Sequence, residues 1–245
     1  MGQGEPVIAA EAIRALAAKL QTTELNVRRE YCQHLFLSHF YQQPLTDQVY
    51  FKGGTALRVI YNSPRFSEDL DFSASLTNIH ALEDAVVGAL AGITLENVEV
   101  DIAEAKTTSG GYLAIITFHS DDAPIAVQLE ISLREGEKRG EAVTIVSDFI
   151  PAYTILALAK DQLIDEKIRA LLSRKKARDF YDLYFLLRAN LLPPGKRDAL
   201  PPALETVRSS KIDFEQELKE FLPRSHWAII RGFPAALERE IERFV

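Results

Sequence analysis

The stretch FKGGTALRVIYNSPRFSEDLDF, residues 51–72, restricts the fold more than any other. A β-prone run, QVYFKGG, ends in Gly53 and Gly54. A short helical pattern follows in TALRVIY, and PRFSEDLDFSA returns as a strand. In a strand, residues i and i+2 share a face. Leu70 and Phe72 therefore demand a covered face, while Asp69 and Asp71 put two carboxylates on the opposite one. Like charges this close resist ionising together unless a cation lies between them. A hard divalent cation such as Mg²⁺ takes one or two protein carboxylates and leaves room for substrate phosphates.

Standing alone, D-x-D is also an ordinary wet strand face. A third acid shifts the balance. In PIAVQLEISLRE, Val127, Leu129 and Ile131 share one face, and Gln128, Glu130 and Ser132 share the other. If this strand neighbours 67–73, Glu130 joins the aspartates. Three carboxylates on adjacent strands are what a two-metal centre requires. The glycine pair, at a strand-to-helix turn, leaves backbone N–H groups open to an anion and lets the chain approach a phosphate closely. Thr55 adds a hydroxyl and is suited to capping the helix. No G-K-[ST] follows, so this is not a Walker loop.

Around this stretch the pattern predicts helices over 8–20 and 25–41, the second grouping Leu25, Tyr31, Leu35 and Phe40. A further helix, LTNIHALEDAVVGALAG, takes Thr77 or Asn78 as its cap. Strands are predicted at 95–103, 112–118 and 125–133, with a hairpin turn at 107–111 and an edge strand in AVTIVS. After Pro151 the texture is read as helical, with a loop at 191–202, a capped helix at 213–222 and a last helix at 234–244. This predicts two domains, 1–150 and 151–245: a mixed sheet with flanking helices, then a helical half.

Composition sets outer limits. The 245 residues fit one large domain or two small ones, and 47% hydrophobic with 26% charged is ordinary for a globular protein. A net charge of −7 argues against a nucleic-acid coat but leaves room for a local basic patch. Cys32 is the only cysteine, which excludes an intrachain disulfide and a cysteine-based zinc site and fits a reducing cytoplasm. The five histidines show no metal-ligand spacing. The N-terminal stretch is not read as a signal peptide, and no run reaches the length of a membrane helix.

Taken together, GG-T, thirteen residues, D-x-D and a distant strand acid are similar to the G-[ST]…D-x-[DE] signature of DNA polymerase β-like nucleotidyltransferases. More narrowly, FKGGTAL, RFSEDLDFS, LEISLRE and EKIRALLSRKKARDFYDLYFLL resemble the AbiEii/AbiGii abortive-infection toxin family, over about residues 50–188. Glu130 stands where that pattern often has Asp. The resemblance implies an α+β nucleotidyltransferase that moves a nucleoside monophosphate from an NTP to an acceptor hydroxyl. It implies Mg²⁺, or Mn²⁺, held by Asp69, Asp71 and Glu130, with Glu130 also helping to deprotonate the attacking hydroxyl. Gly53, Gly54, Thr55, Lys52, Arg65, Ser67 and Lys167 are implied as nucleotide contacts, and Asp182 as the group that orients Lys167 or holds the nucleotide. The 3′ end of tRNA as acceptor, a cognate antitoxin and a type IV toxin–antitoxin role in the cytoplasm are implied in the same way.

In the resembling helix, residues 167–178 carry six bases (Lys167, Arg169, Arg174, Lys175, Lys176, Arg178) and no acid, a positive patch in an acidic protein. Such a run is compatible with a phosphate backbone and equally with a solvated helix face. Arg178 and Asp182, four apart, are placed to pair, and Asp179 shares the face of Asp182. Two other readings stand beside tRNA modification: nucleotide transfer to a protein or small molecule, and a catalytically silent binding module.

Overall fold

The computed structural model describes residues 8–76, 78–120, 123–134 and 136–245. They divide into two compact units. Unit 1 runs to Asn62 and from Phe66 to Ala159; unit 2 takes Ser63–Arg65 and Lys160–Val245.

Unit 1 opens with helices α1 (Ala10–Leu20) and α2 (Glu24–Phe40). Thr23 caps α2, accepting a hydrogen bond from the Asn26 N–H. From Val27 to Phe40, α2 is buried on nearly all sides, as a helix surrounded by other elements must be. Leu25 stands outside the predicted cluster and is exposed. Then come β1 (Val49–Lys52), α3 (Gly53–Tyr61), β2 (Leu70–Ala74), α4 (Ile79–Leu95), β3 (Val100–Thr108), β4 (Gly111–Phe118), β5 (Ile125–Ser132), β6 (Gly140–Ile145) and β7 (Tyr153–Leu158).

Among the described residues these strands make one seven-stranded sheet in the order β3-β4-β5-β2-β1-β7-β6. β2–β5 and β1–β7 pair in parallel and the other neighbours antiparallel. β5 alternates as its sequence predicts: Ile125, Val127, Leu129 and Ile131 are buried. Phe72 of β2 packs against both Phe51 of β1 and Phe40 of α2, with ring centroids 5.4 Å and 5.5 Å away. This is the face the helix covers. The residues between, Lys52 and Asp71, belong to the other face.

Three expectations change, and one open choice is settled. PRFSEDLDFSA is strand only from Leu70, so Asp69 lies just before β2 and not within it. The run at 95–103 is split: α4 continues to Leu95, Asn97 reverses the chain at φ +62°, and β3 starts at Val100. The helical texture begins at Lys160 and not at Pro151, because Tyr153–Leu158 pairs with both β1 and β6 as an inner strand. Asn78 is the α4 cap, its side chain accepting from Ala81 N–H, whereas Thr77 lies outside the described residues.

Unit 2 contains α5 (Lys160–Arg174), α6 (Ala177–Arg188), α7 (Leu200–Ser209), α8 (Phe214–Leu218), α9 (Trp227–Ile230) and α10 (Phe233–Glu242). The predicted loop at 191–202 ends earlier than expected. Pro201 and Pro202 occupy the first turn of α7, where a missing N–H costs nothing. Asp213 caps α8 through Gln216 N–H, as its spacing predicts. The core of this unit is aromatic: Phe214 lies 5.0 Å from Phe233 and 5.3 Å from Phe180, and Tyr181 stacks on Phe233.

Candidate active site

The parallel pairing of β2 with β5 sets Asp71 directly opposite Glu130, between the buried pairs Leu70–Leu129 and Phe72–Ile131. Side chains that are register partners point to the same face, so both carboxylates leave the covered side of the sheet. Asp71 is half-buried and Glu130 exposed. On the other side, antiparallel β1 sets Lys52 opposite Asp71.

Gly53 follows Lys52 and explains its own identity. Its φ is +83°, a conformation that favours glycine. A Cβ at this position would overlap Asp71 Oδ2 and lie 2.7 Å from Asp71 Cβ and Cγ. The backbone at the start of α3 is thus in contact with the carboxylate it serves. The residue before α3, Lys52, makes no side-chain cap hydrogen bond to the first α3 N–H groups. Thr55 does not cap the helix as its position suggested. Buried on the inner side, it donates its hydroxyl to the backbone carbonyl of Asp69.

Asp69 sits in an irregular stretch pinned by side chains. Gln33 of α2 donates from Nε2 to the carbonyls of Ser67 (2.9 Å) and Glu68 (3.1 Å). Upstream, Arg58 pairs with Glu30 and lies 3.5 Å over the Phe66 ring. Gln33, Glu30 and Arg58 were not among the predicted site residues. A polar side chain inside the run CQHLFL is the one sequence signal that marks Gln33.

All the donors at the sheet face are oxygens, which suits Mg²⁺ or Mn²⁺ and not a softer ion. Among the described residues, no three acidic, histidine or cysteine side chains are drawn together as a complete metal cage. The arrangement fits a cation that takes one or two carboxylates from the protein and its other ligands from water and phosphate. Cys32 is no competitor: burial pushes its thiol up to about 12.

Within unit 2, Asp182 is fully buried and held by two cations. Arg65 grips it with Nε (2.9 Å) and Nη2 (3.1 Å), and Lys167 Nζ donates to Oδ2 at 2.7 Å. Burial alone would raise the carboxyl pKa; Arg65 and Lys167 together outweigh it, so Asp182 lies below the ordinary range. The predicted Lys167–Asp182 partnership is therefore present, while Arg65, not Arg178, is the arginine on Asp182. Asp179 is engaged elsewhere, accepting from Arg174 (2.7 Å) and from Lys176 N–H at the start of α6. Arg174 is thus occupied, and the side chains of Lys175 and Lys176 beside it are exposed.

Residues 35–242 match the family model described as "Nucleotidyl transferase AbiEii toxin, Type IV TA system". Two crystal structures from Helicobacter pylori share the fold. One is a protein assigned as a nucleotidyltransferase, with TM-score 0.57 and 21% identity over 91% of this chain and 99% of that one. The other is JHP933, with TM-score 0.58 and 20% identity over 91% of this chain and 95% of that one. Among curated proteins there is no significant match.

Proposed function

This chain belongs to the AbiEii nucleotidyltransferase toxin family, and from that premise we propose that it transfers a nucleoside monophosphate from an NTP to the 3′ end of tRNA, with a divalent cation. The observation that carries the site is the register pairing of Asp71 with Glu130 against the backbone of Gly53. In the proposed reaction the acceptor oxygen bonds to the α-phosphorus, the bond to the β-phosphate oxygen breaks, and pyrophosphate leaves. Glu130, exposed on the sheet face, takes the hydroxyl proton. Asp71 and Asp69 are the carboxylates assigned to Mg²⁺ or Mn²⁺. The cation would supply charge neutralisation at the phosphates and activation of the attacking hydroxyl. The N–H groups at Gly53 and Gly54, which the Lys52 side chain does not cap, are assigned with Lys52 to the triphosphate, where fixed donors need no reorganisation. Lys167 is assigned to phosphate, its ammonium oriented by Asp182.

An RNA acceptor is favoured by the distribution of charge. Unit 2 carries 18 Lys and Arg against 14 Asp and Glu, while the rest of the chain carries 10 against 21. A net +4 unit on a net −11 remainder suits a polyanionic partner. A cognate antitoxin and a cytoplasmic setting complete the proposal; among the described residues no helix is long and apolar enough to cross a membrane.

The test is incubation with each of four radiolabelled NTPs, Mg²⁺, and total tRNA, total protein or small-molecule acceptors. Label on tRNA is expected, reduced about 10²-fold or more in Asp71→Asn with the fold retained. Label on protein or a small molecule instead would replace the acceptor. Undiminished labelling by Asp71→Asn would remove this site.

A further inference from the structure

We propose that Gln33, acting with Thr55, is a positioning residue that aims the Asp69 carboxylate at the cation shared with Asp71. This rests on the metal-site reading above, but it concerns a residue two positions before the stretch matched by the family model.

Residues 64–69 belong to no strand or helix, so the ladder does not fix them. Three successive carbonyls in this stretch are nevertheless held by side chains. Gln33 Nε2 donates to Ser67 O at 2.9 Å and Glu68 O at 3.1 Å, and Thr55 Oγ1 donates to Asp69 O. The Glu68 carbonyl lies in the peptide plane before Asp69, and the Asp69 carbonyl lies in the plane after it. Fixing both planes fixes φ and ψ at Asp69, and with them the direction of its Cα–Cβ bond.

The donors are themselves rigid. Gln33 is 2% exposed and Thr55 1%. Gln33 is flanked by buried Cys32 and His34 on α2, and Thr55 lies in the first turn of α3. A buried amide is retained only when its polar atoms are matched. Sheet pairing fixes the backbone of Asp71 directly. Asp69 lies one residue outside the sheet, and the hydrogen bonds from Gln33 and Thr55 clamp the carbonyls on either side of its Cα. A backbone held in place before the cation arrives lowers the ordering cost at the moment of binding.

The experiment is a Mn²⁺ titration of the full chain by electron paramagnetic resonance, beside thermal melts, for wild type, Gln33→Leu, Thr55→Val, Thr55→Ser and Asp71→Asn. Gln33→Leu keeps the volume and loses the donors. We expect Gln33→Leu and Thr55→Val each to weaken Mn²⁺ binding several-fold. Thr55→Ser, which keeps the hydroxyl, should recover the affinity lost in Thr55→Val. In the labelled-transfer assay of Gln33→Leu the half-saturating Mg²⁺ should rise by the same factor, with kcat at saturating Mg²⁺ little changed. Should Gln33→Leu fail to fold, the Thr55→Val and Thr55→Ser pair decides. Wild-type Mn²⁺ affinity in both Gln33→Leu and Thr55→Val, with binding lost in Asp71→Asn, overturns the clamp and leaves the site standing. Unchanged binding in Asp71→Asn brings down the site and the clamp together.

Discussion

Gly53 and Asp71 are two residues with one constraint between them. The glycine has a left-handed backbone, and the carboxylate occupies the space its missing side chain would take. Alanine at 53 therefore meets both backbone strain and a clash. We expect Gly53→Ala to cost about 1–3 kcal/mol of stability, and to reduce nucleotide transfer by more than that loss explains, because relief comes by moving Asp71. Urea unfolding alongside the labelled-transfer assay checks both parts. Transfer undiminished at saturating NTP and Mg²⁺ would show that the contact is only steric. His34 is a second residue with a readable chemistry. It is buried, bonded to the Tyr153 hydroxyl at 2.7 Å, and its pKa is lowered to about 4 by burial and by nearby Arg58. A histidine whose folded pKa is depressed favours folding above its ordinary value of 6.5, and that contribution is lost as pH falls toward 4. Between pH 7 and 5 the loss is about 2 kcal/mol. Denaturant melts across this range should show wild-type stability falling with pH and the His34→Gln variant falling by less; equal slopes would remove His34 as the cause.

At the scale of elements, the ion cluster joining Arg65, α5 and α6 differs from the surface pairs around it. In Arg174–Asp179 the carboxylate is buried but its arginine is half-exposed, and the same carboxylate also accepts from Lys176 N–H at the start of α6. Asp182 is 1% exposed and answers two buried cations. Removing its charge takes from buried Arg65 and Lys167 the carboxylate they share, so Asp182→Asn should destabilise the protein by about 3–5 kcal/mol. Because the folded pKa of Asp182 is lowered, its contribution is complete above the ordinary carboxylate value and lost as pH falls through the folded one. Acid unfolding of the wild type should therefore carry a component that Asp182→Asn lacks, measured by denaturant melts from pH 7 to 3. The same scale shows where local pattern was legible. The alternation of β5, the Asp213 cap of α8 and the GG start of α3 follow from neighbours in sequence. β7 did not, because Leu156 also satisfies a helical spacing with Leu163, and only pairing with β1 and β6 selects the strand.

For the molecule as a whole, charge is the property that sequence order hides. A net charge of −7 conceals a positive unit 2 and a strongly negative remainder. If unit 2 meets an RNA backbone, the KM for tRNA should climb steeply from about 50 to about 200 mM salt while the KM for NTP changes less. Equal salt dependence of the two would argue against a phosphate-backbone acceptor. The sequence by itself determined the α+β class, the family and the acids to inspect, because strand periodicity and a glycine turn are local and act through the nearest neighbours. It also paired Lys167 with Asp182 through resemblance. Only tertiary structure decided that Glu130 is the register partner of Asp71, that Arg65 rather than Arg178 grips Asp182, and that Gln33 and Thr55 hold the chain on either side of Asp69. Those choices join residues from 14 to 117 positions apart. They depend on which buried donor finds which buried acceptor once water is gone, and no spacing rule along the chain encodes that.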